Sequence, residues 1–245
     1  FCDDCGHVQL KYQLSSDILY SSNYEFRTSE SNTAKKFVHF FDEFLHELVG
    51  DHKFSSAVDV GGNDRYMAKL LKPIAGQVSV IDPICAEEDG KEIEGIHVIG
   101  KLIEQVDLTK DINQPDLVVC RHTLEHISKP SEVILQLFDQ CKSDCLYVFE
   151  VPCLSSLAEN LRFDAVFHQH YQYFDLLTFK ALLKVTGGEY VSHKINHHGP
   201  NGGSLLIAFR KGSEVQKLEP YSNQEREQYL RSRLDLFNQQ MEVSS

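Results

Sequence analysis

Several groups of residues in this chain have the types and spacing for chemistry. The first is Val58-Asp59-Val60-Gly61-Gly62-Asn63-Asp64, an apolar run ending in a glycine turn. Glycines between a strand and a helix let backbone amides approach a ligand in the crevice beyond the strand ends. A dinucleotide turn would want a further glycine where Arg65 stands, which argues against a pyrophosphate ligand. Asp59, two residues before Gly61, suits a ligand with an amino group. Asp82 closes the next apolar run, Val78-Ser79-Val80-Ile81. From that position a carboxylate hydrogen-bonds the two hydroxyls of a ribose. Asp59, Gly61, Gly62, Asn63 and Asp82 together read as a nucleoside-binding set, with some other nucleotide as the competing reading.

Histidines and cysteines make the other groups. His122 and His126 stand four apart in Arg121-His122-Thr123-Leu124-Glu125-His126. On one helix they could share a metal, but capping and packing is the commoner duty for such a pair. His168 and His170, two apart, would point the same way from an extended segment and could bind zinc with a third ligand. No acid of suitable spacing accompanies them, so this metal reading is the weaker one. Cys2-x-x-Cys5-Gly6 has the spacing of a zinc knuckle, while a tetrahedral structural site takes four ligands.

The elements that must hold these residues follow from periodicity. A helix is predicted from Thr33, with Phe37, Phe40, Phe41, Phe44, Leu45 and Leu48 on one face and Gly50 closing it. Apolar runs at 57–61, 78–81, 96–99, 117–120 and 146–151 alternate with helical patterns at 66–71 and 133–138. Short buried strands separated by helices predict an α/β fold: a mostly parallel sheet covered on both faces. Two late runs, 190–195 and 204–209, flank a Gly/Pro/Asn turn and predict antiparallel strands at one edge, and a polar helix is expected from Asn223.

Composition bounds the function. The 245 residues can bury a large core, and 42% hydrophobic with 24% charged is an ordinary globular balance. A net charge of −12, spread along the chain, repels phosphate backbones and excludes nucleic acid as an expected partner. No apolar run reaches the roughly 20 residues that span a bilayer. Seven cysteines, an odd number scattered through predicted core elements, fit a reducing cytoplasm better than a disulfide framework. Oligomeric state stays open.

Longer motifs add a resemblance. The segment D-x-V-x-x-R-x-x-L-E-H from Asp116 to His126 is similar to the stretch after the fourth strand of class I S-adenosylmethionine (SAM)-dependent methyltransferases, where Arg121 and His122 would flank the methyl donor. Phe149-Glu150-Val151-Pro152, Glu159-Asn160 and Arg162 through Phe174 resemble the C-methyltransferases of nucleotide-linked keto-deoxy-sugars. That family reads E-V-P, E-N and F-D-x-x-Y-H-E-H-x-S-Y-F here. Asn201-Gly202-Gly203-Ser204, the Gly62-Asn63-Asp64 form of the glycine turn, and Tyr24 in Tyr24-Glu25-Phe26-Arg27-Thr28-Ser29 agree with it. The resemblance covers nearly the whole chain.

It implies a Rossmann-like methyltransferase core, SAM as cofactor and a nucleotide-sugar as small-molecule substrate. It divides the chain into a zinc-module remnant and linker (1–32), a SAM-binding domain (33–152) and a substrate-binding segment completing the sheet (153–245). Carbon methylation needs a base to make a carbanion equivalent and a group to stabilise the enolate. The resemblance gives His170 the part of the base, Tyr24 and Tyr173 those of phenols near the sugar or enolate, and Asn160, His168 and Asn201 those of substrate contacts. It makes Cys2 and Cys5 half of a zinc site, with the other pair of ligands expected upstream. Two departures stand out: the glutamate before the base is Gln169, and the tyrosine two places earlier is Phe167. They leave open an O- or N-methyltransferase on a sugar or other small molecule, and a non-catalytic module that binds SAM or a nucleotide-sugar.

Overall fold

The computed structural model describes residues 1–2, 4–13, 27–217 and 224–244. Its main feature is an eight-stranded sheet built from β2 (Phe54–Val60), β3 (Ala75–Ile81), β4 (Glu92–Ile93), β5 (Ile96–Ile99), β6 (Leu117–Arg121), β7 (Leu146–Pro152), β9 (Gly188–Asn196) and β10 (Ser204–Lys211). The spatial order is β4-β5-β3-β2-β6-β7-β10-β9. From β5 to β7 every neighbouring pair is parallel; β10 runs antiparallel between β7 and β9, and the short β4 runs antiparallel to β5. A strand buried on both faces has little use for polar alternation. β7 accordingly reads Leu-Tyr-Val-Phe-Glu-Val-Pro with every residue buried.

Alternate side chains feed two cores. Val58, Val60, Val118, Cys120, Tyr147, Phe149, Ile207 and Phe209 join one. It is covered by α4 (Pro130–Gln140) and α6 (Leu176–Thr186), through residues such as Ile134, Leu137, Phe179 and Leu183. Ala57, Val80, Val98, Val119, Val148 and Leu206 face the other, covered by α1 (Asn32–Val49) and α2 (Tyr66–Leu71). In α1 the Ser31 side chain caps the first turn, accepting from the Ala34 amide at 3.2 Å. The helix thus starts one residue before the expected Thr33. Val38, Phe41, Phe44 and Leu45 form its buried stripe; Phe37 lies off that stripe and lines a cavity instead.

Shorter elements complete the chain: α3 (Leu108–Asp111), α5 (Leu154–Glu159) and the polar α7 (Gln224–Ser244). Outside the sheet, β1 (Val8–Gln9) pairs antiparallel with β8 (Gln172–Tyr173). The Leu10 amide extends that pairing, donating to the Tyr171 carbonyl at 2.9 Å. The N-terminal residues therefore grip the segment that carries His170. No helix among the described residues is long and apolar enough to cross a membrane.

Candidate functional site

One cavity of about 910 Å³ opens at the C-terminal ends of the parallel strands, where the chain turns from β2 to β3 on one side and to β6 on the other. At its first end lies the glycine turn. Gly61 has φ +71°, and a Cβ there would stand 1.8 Å from Thr123 Oγ1. A Cβ on Gly62 would stand 2.4 Å from Val80 Cγ2 and 2.7 Å from Asp59 Oδ2. The bare backbone of both residues is thus needed by packing as well as by any ligand.

Asp59 lies beneath this turn, 1% exposed, and its Oδ2 has no hydrogen-bond partner. Burial raises its carboxyl to about 7, although the Arg121 charge opposes the shift. Asp82 ends β3 and is also buried; its Oδ2 accepts from the Asn63 amide at 2.8 Å and its Oδ1 from the Ile84 amide at 3.0 Å. Each carboxylate oxygen keeps a second acceptor site. Asn63 itself has φ +48°, and its side-chain oxygen accepts from the Asp64 amide at 2.8 Å.

At the other end, buried charges cluster after β6. Arg121 Nε donates to Glu150 Oε2 at 2.8 Å, and Ser204 Oγ donates to Glu150 Oε1 at 2.6 Å. His122, at φ +49°, lies between two acids: Nδ1 is 3.4 Å from Glu125 Oε1 and Nε2 is 3.5 Å from Glu150 Oε1. Burial works against the imidazolium, but the Glu150 and Glu125 charges outweigh it and hold His122 at about 9. Burial likewise opposes the Glu150 anion, yet Arg121 and His122 hold it down to about 2.

His170 packs against this cluster. It is 4% exposed, with Nε2 4.0 Å from Glu125 Oε1 and Nδ1 without a hydrogen-bond partner. Burial lowers it to about 4, with the Glu125 charge pulling the other way, so the ring is neutral at pH 7. The His126 ring lies 4.9 Å away, its Nδ1 2.7 Å from the Gln169 carbonyl. The Phe167 ring, 4.2 Å from His170, walls the other side.

Ligand atoms of Glu125, His126 and His170 lie within 4.8 Å of one another. A protonated His122 already stands against Glu125, so the acid is matched in charge without a metal. Cys2 and Cys5 sit in a tight turn in which the Gly6 amide donates to the Cys2 carbonyl at 2.9 Å. Two sulfurs are half of a structural zinc's ligands, so these residues alone do not fit the metal.

Asp59, Gly61, Gly62, Asn63, Asp82, Arg121, His122, Gln169, His170 and Asn201, all named from sequence, line the one cavity. Three others do not. His168 is exposed, because the Phe167–His170 stretch is a turn closed by the His170 amide on the Phe167 carbonyl (3.1 Å). The same-side rule of extended chains therefore fails for His168 and His170. Tyr173 is packed among Leu154, Leu157 and Ala165, donating to the Phe167 carbonyl at 3.4 Å. Asn160 is a brace: its side-chain amide donates to the Gly202 carbonyl at 2.9 Å, holding the turn that presents Asn201. His122 and His126 are not on one helix; a single 3₁₀ turn, Leu124–His126, separates their backbones. Tyr24 lies outside the described residues. Sequence reasoning gave no role to Glu125 or Glu150, although acids inside apolar runs were the available signal.

Comparison with known proteins agrees with this geometry. The sequence profile described as "Methyltransferase domain" matches residues 32–193. A curated relative, the C-methyltransferase NovU of Streptomyces niveus, is 24% identical over 212 residues, covering 84% of this chain and 49% of its own. The chain thus spans about half the length of that relative. Among solved structures, the N-methyltransferase NodS of Bradyrhizobium japonicum with S-adenosylhomocysteine superposes with TM-score 0.56 at 14% identity, over 80% of this chain and 95% of that one. The 1,6-didemethyltoxoflavin-N1-methyltransferase of Burkholderia thailandensis gives TM-score 0.57 at 13% identity, over 84% and 95%. At such identities the likeness is one of fold: a class I, Rossmann-like methyltransferase sheet.

Proposed function

The chain belongs to the methyltransferase-domain family; we propose that it is an enzyme that takes the methyl from SAM and places it on a carbon of a nucleotide-linked keto-deoxy-sugar. The residues present fit that cofactor. The unpartnered Oδ2 of the buried Asp59 calls for a cationic group, and Gly61 and Gly62 leave no room for a side chain. Asp82 stands at the strand end with acceptor capacity for ribose hydroxyls. SAM would supply a methyl group whose bonding pair leaves with the sulfur.

His170 is the single observation that carries the carbon chemistry. It is a buried, neutral imidazole that lines the same cavity as the glycine turn, and its Nε2, the nitrogen not sealed inside the fold, makes no hydrogen bond. A neutral ring accepts a proton from the carbon beside a ketone, leaving the C–H pair in an enolate. The surrounding aromatic wall keeps water from quenching that anion. Asn201 and Gln169, both lining the cavity, offer hydrogen bonds to a sugar. The motif resemblance from Glu159 to Phe174 supports the substrate class, and the likeness to the C-methyltransferase NovU supports carbon as the methylated atom.

Gln169 favours one second reading, methylation of a sugar oxygen or nitrogen, since the acid beside the base is missing from its expected place. Incubation with methyl-labelled SAM and a panel of nucleotide-linked sugars tests the proposal. Label is expected on carbon, in keto-sugars alone. Label on oxygen or nitrogen, or cofactor binding with no turnover on any sugar, contradicts it.

A further inference from the structure

The expected carboxylate next to the base is absent from the sequence at Gln169, yet the fold puts another one against the same imidazole. Glu125 is fully buried, and neither of its oxygens has a hydrogen-bond partner. Three histidine nitrogens converge on its Oε1: His122 Nδ1 at 3.4 Å, His126 Nε2 at 3.9 Å and His170 Nε2 at 4.0 Å. An unbonded carboxylate in a dry interior costs several kcal/mol unless charges or donors around it compensate.

We propose that Glu125 is the positioning carboxylate of His170, taking the place that Gln169 leaves vacant; the inference rests on His170 being the base. Nδ1 is closed off from solvent and unpartnered, which leaves Nε2, 4.0 Å from Glu125 Oε1, as the ring nitrogen a substrate can reach. Nε2 takes the substrate proton, the C–H pair passes into the enolate, and the resulting imidazolium holds its new Nε2–H beside the Glu125 anion. Glu125 never accepts the proton; it lowers the energy of the charged ring, as a buried acid does beside a catalytic histidine. The proton later leaves His170 for solvent.

The other charges facing the pair set its size. His122 and His126 both oppose a positive His170, and Glu125 is the acid that favours it. His122 is in turn shared with Glu150, which Arg121 holds ionised. The buried Cys120 thiol faces Glu125 from β6 and is pushed up by burial and by that charge, so it stays neutral. The Tyr173 ring, 6.3 Å from His170, has a phenol that burial raises to about 12 and is neutral as well.

Glu125→Gln in the full chain tests this, alongside His170→Ala. Losing the acid makes the imidazole a weaker base, so the plateau kcat should fall about 10- to 100-fold. The acid limb of kcat/KM should move to lower pH, because a ring without its anion protonates less readily. Cofactor affinity should stay within about twofold. Adding Gln169→Glu to Glu125→Gln should restore much of the rate, and Glu125→Asp, the gentler change if the first variant folds poorly, should shift the acid limb in the same direction. A Glu125→Gln enzyme with wild-type kcat and an unmoved acid limb overturns the proposal while His170→Ala stays inactive. Loss of wild-type turnover to a chelator, restored by zinc, also overturns it, making the cluster a metal site. High turnover in His170→Ala instead overturns the base assignment beneath it.

Discussion

The Asp59 carboxyl is buried, its Oδ2 has no hydrogen-bond partner, and it is raised to about 7 before any ligand arrives. A cationic ligand binds the ionised form, so binding expels a proton whenever Asp59 starts protonated. Affinity for SAM should therefore strengthen about tenfold from pH 6 to pH 8 and level off above. Arg121, Asp82 and Asp64 also act on this carboxyl, but Asp59→Asn alone should flatten the slope. Calorimetry at several pH values measures it; a slope that survives in Asp59→Asn removes Asp59 from the cofactor's contacts. The residues of this end were legible because a glycine turn after an apolar run leaves its mark in one short word. His168 and Tyr173 were misplaced because local spacing says nothing about a turn at Phe167–His170 or about which side of it faces the core.

At the scale of elements, alternation of buried runs and helical stripes predicted the sheet, its parallel centre and its antiparallel edge pair. Those patterns follow from which faces must be dry, and the dry faces dominate folding energetics. The pairing of β1 with β8 left no such trace, since two-residue strands carry no periodicity. The charge relay behind β6 was hidden for a different reason. Arg121, His122 and Glu125 are close in sequence, but Glu150 arrives from β7 and His170 from a loop far downstream, so only the closed sheet brings them together. The same closure brings Glu125 within 4.0 Å of His170.

For the molecule as a whole, these buried groups set a pH window for stability. His122, held at about 9 in the fold against 6.5 for the free group, contributes stability that is full below about pH 6.5 and is lost as pH rises through 9. Asp59, raised in the fold, also favours the acidic side, its cost growing between about pH 4 and 7. Glu150, held at about 2 against 4.5, contributes stability that is lost as pH falls below about 4.5. His170, lowered to about 4 against 6.5, costs stability that grows as pH falls from about 6.5 to 4. The thermal midpoint should therefore peak between about pH 5 and 6.5 and decline toward pH 9, with a shallower alkaline limb in His122→Asn. A midpoint that rises steadily to pH 9 contradicts the His122 arrangement.

The cavity joins the glycine turn to His170, and under the proposed function His170 removes a proton from carbon before methyl transfer. Proton exchange in heavy water isolates that step: the keto-sugar is incubated with enzyme and S-adenosylhomocysteine, which has no methyl to give, and deuterium is followed on the carbon beside the ketone. The account predicts enzyme-dependent deuterium uptake at that one carbon, falling by about 10²- to 10⁴-fold in His170→Ala. No uptake in the wild type, while label from SAM still reaches the sugar, would contradict it.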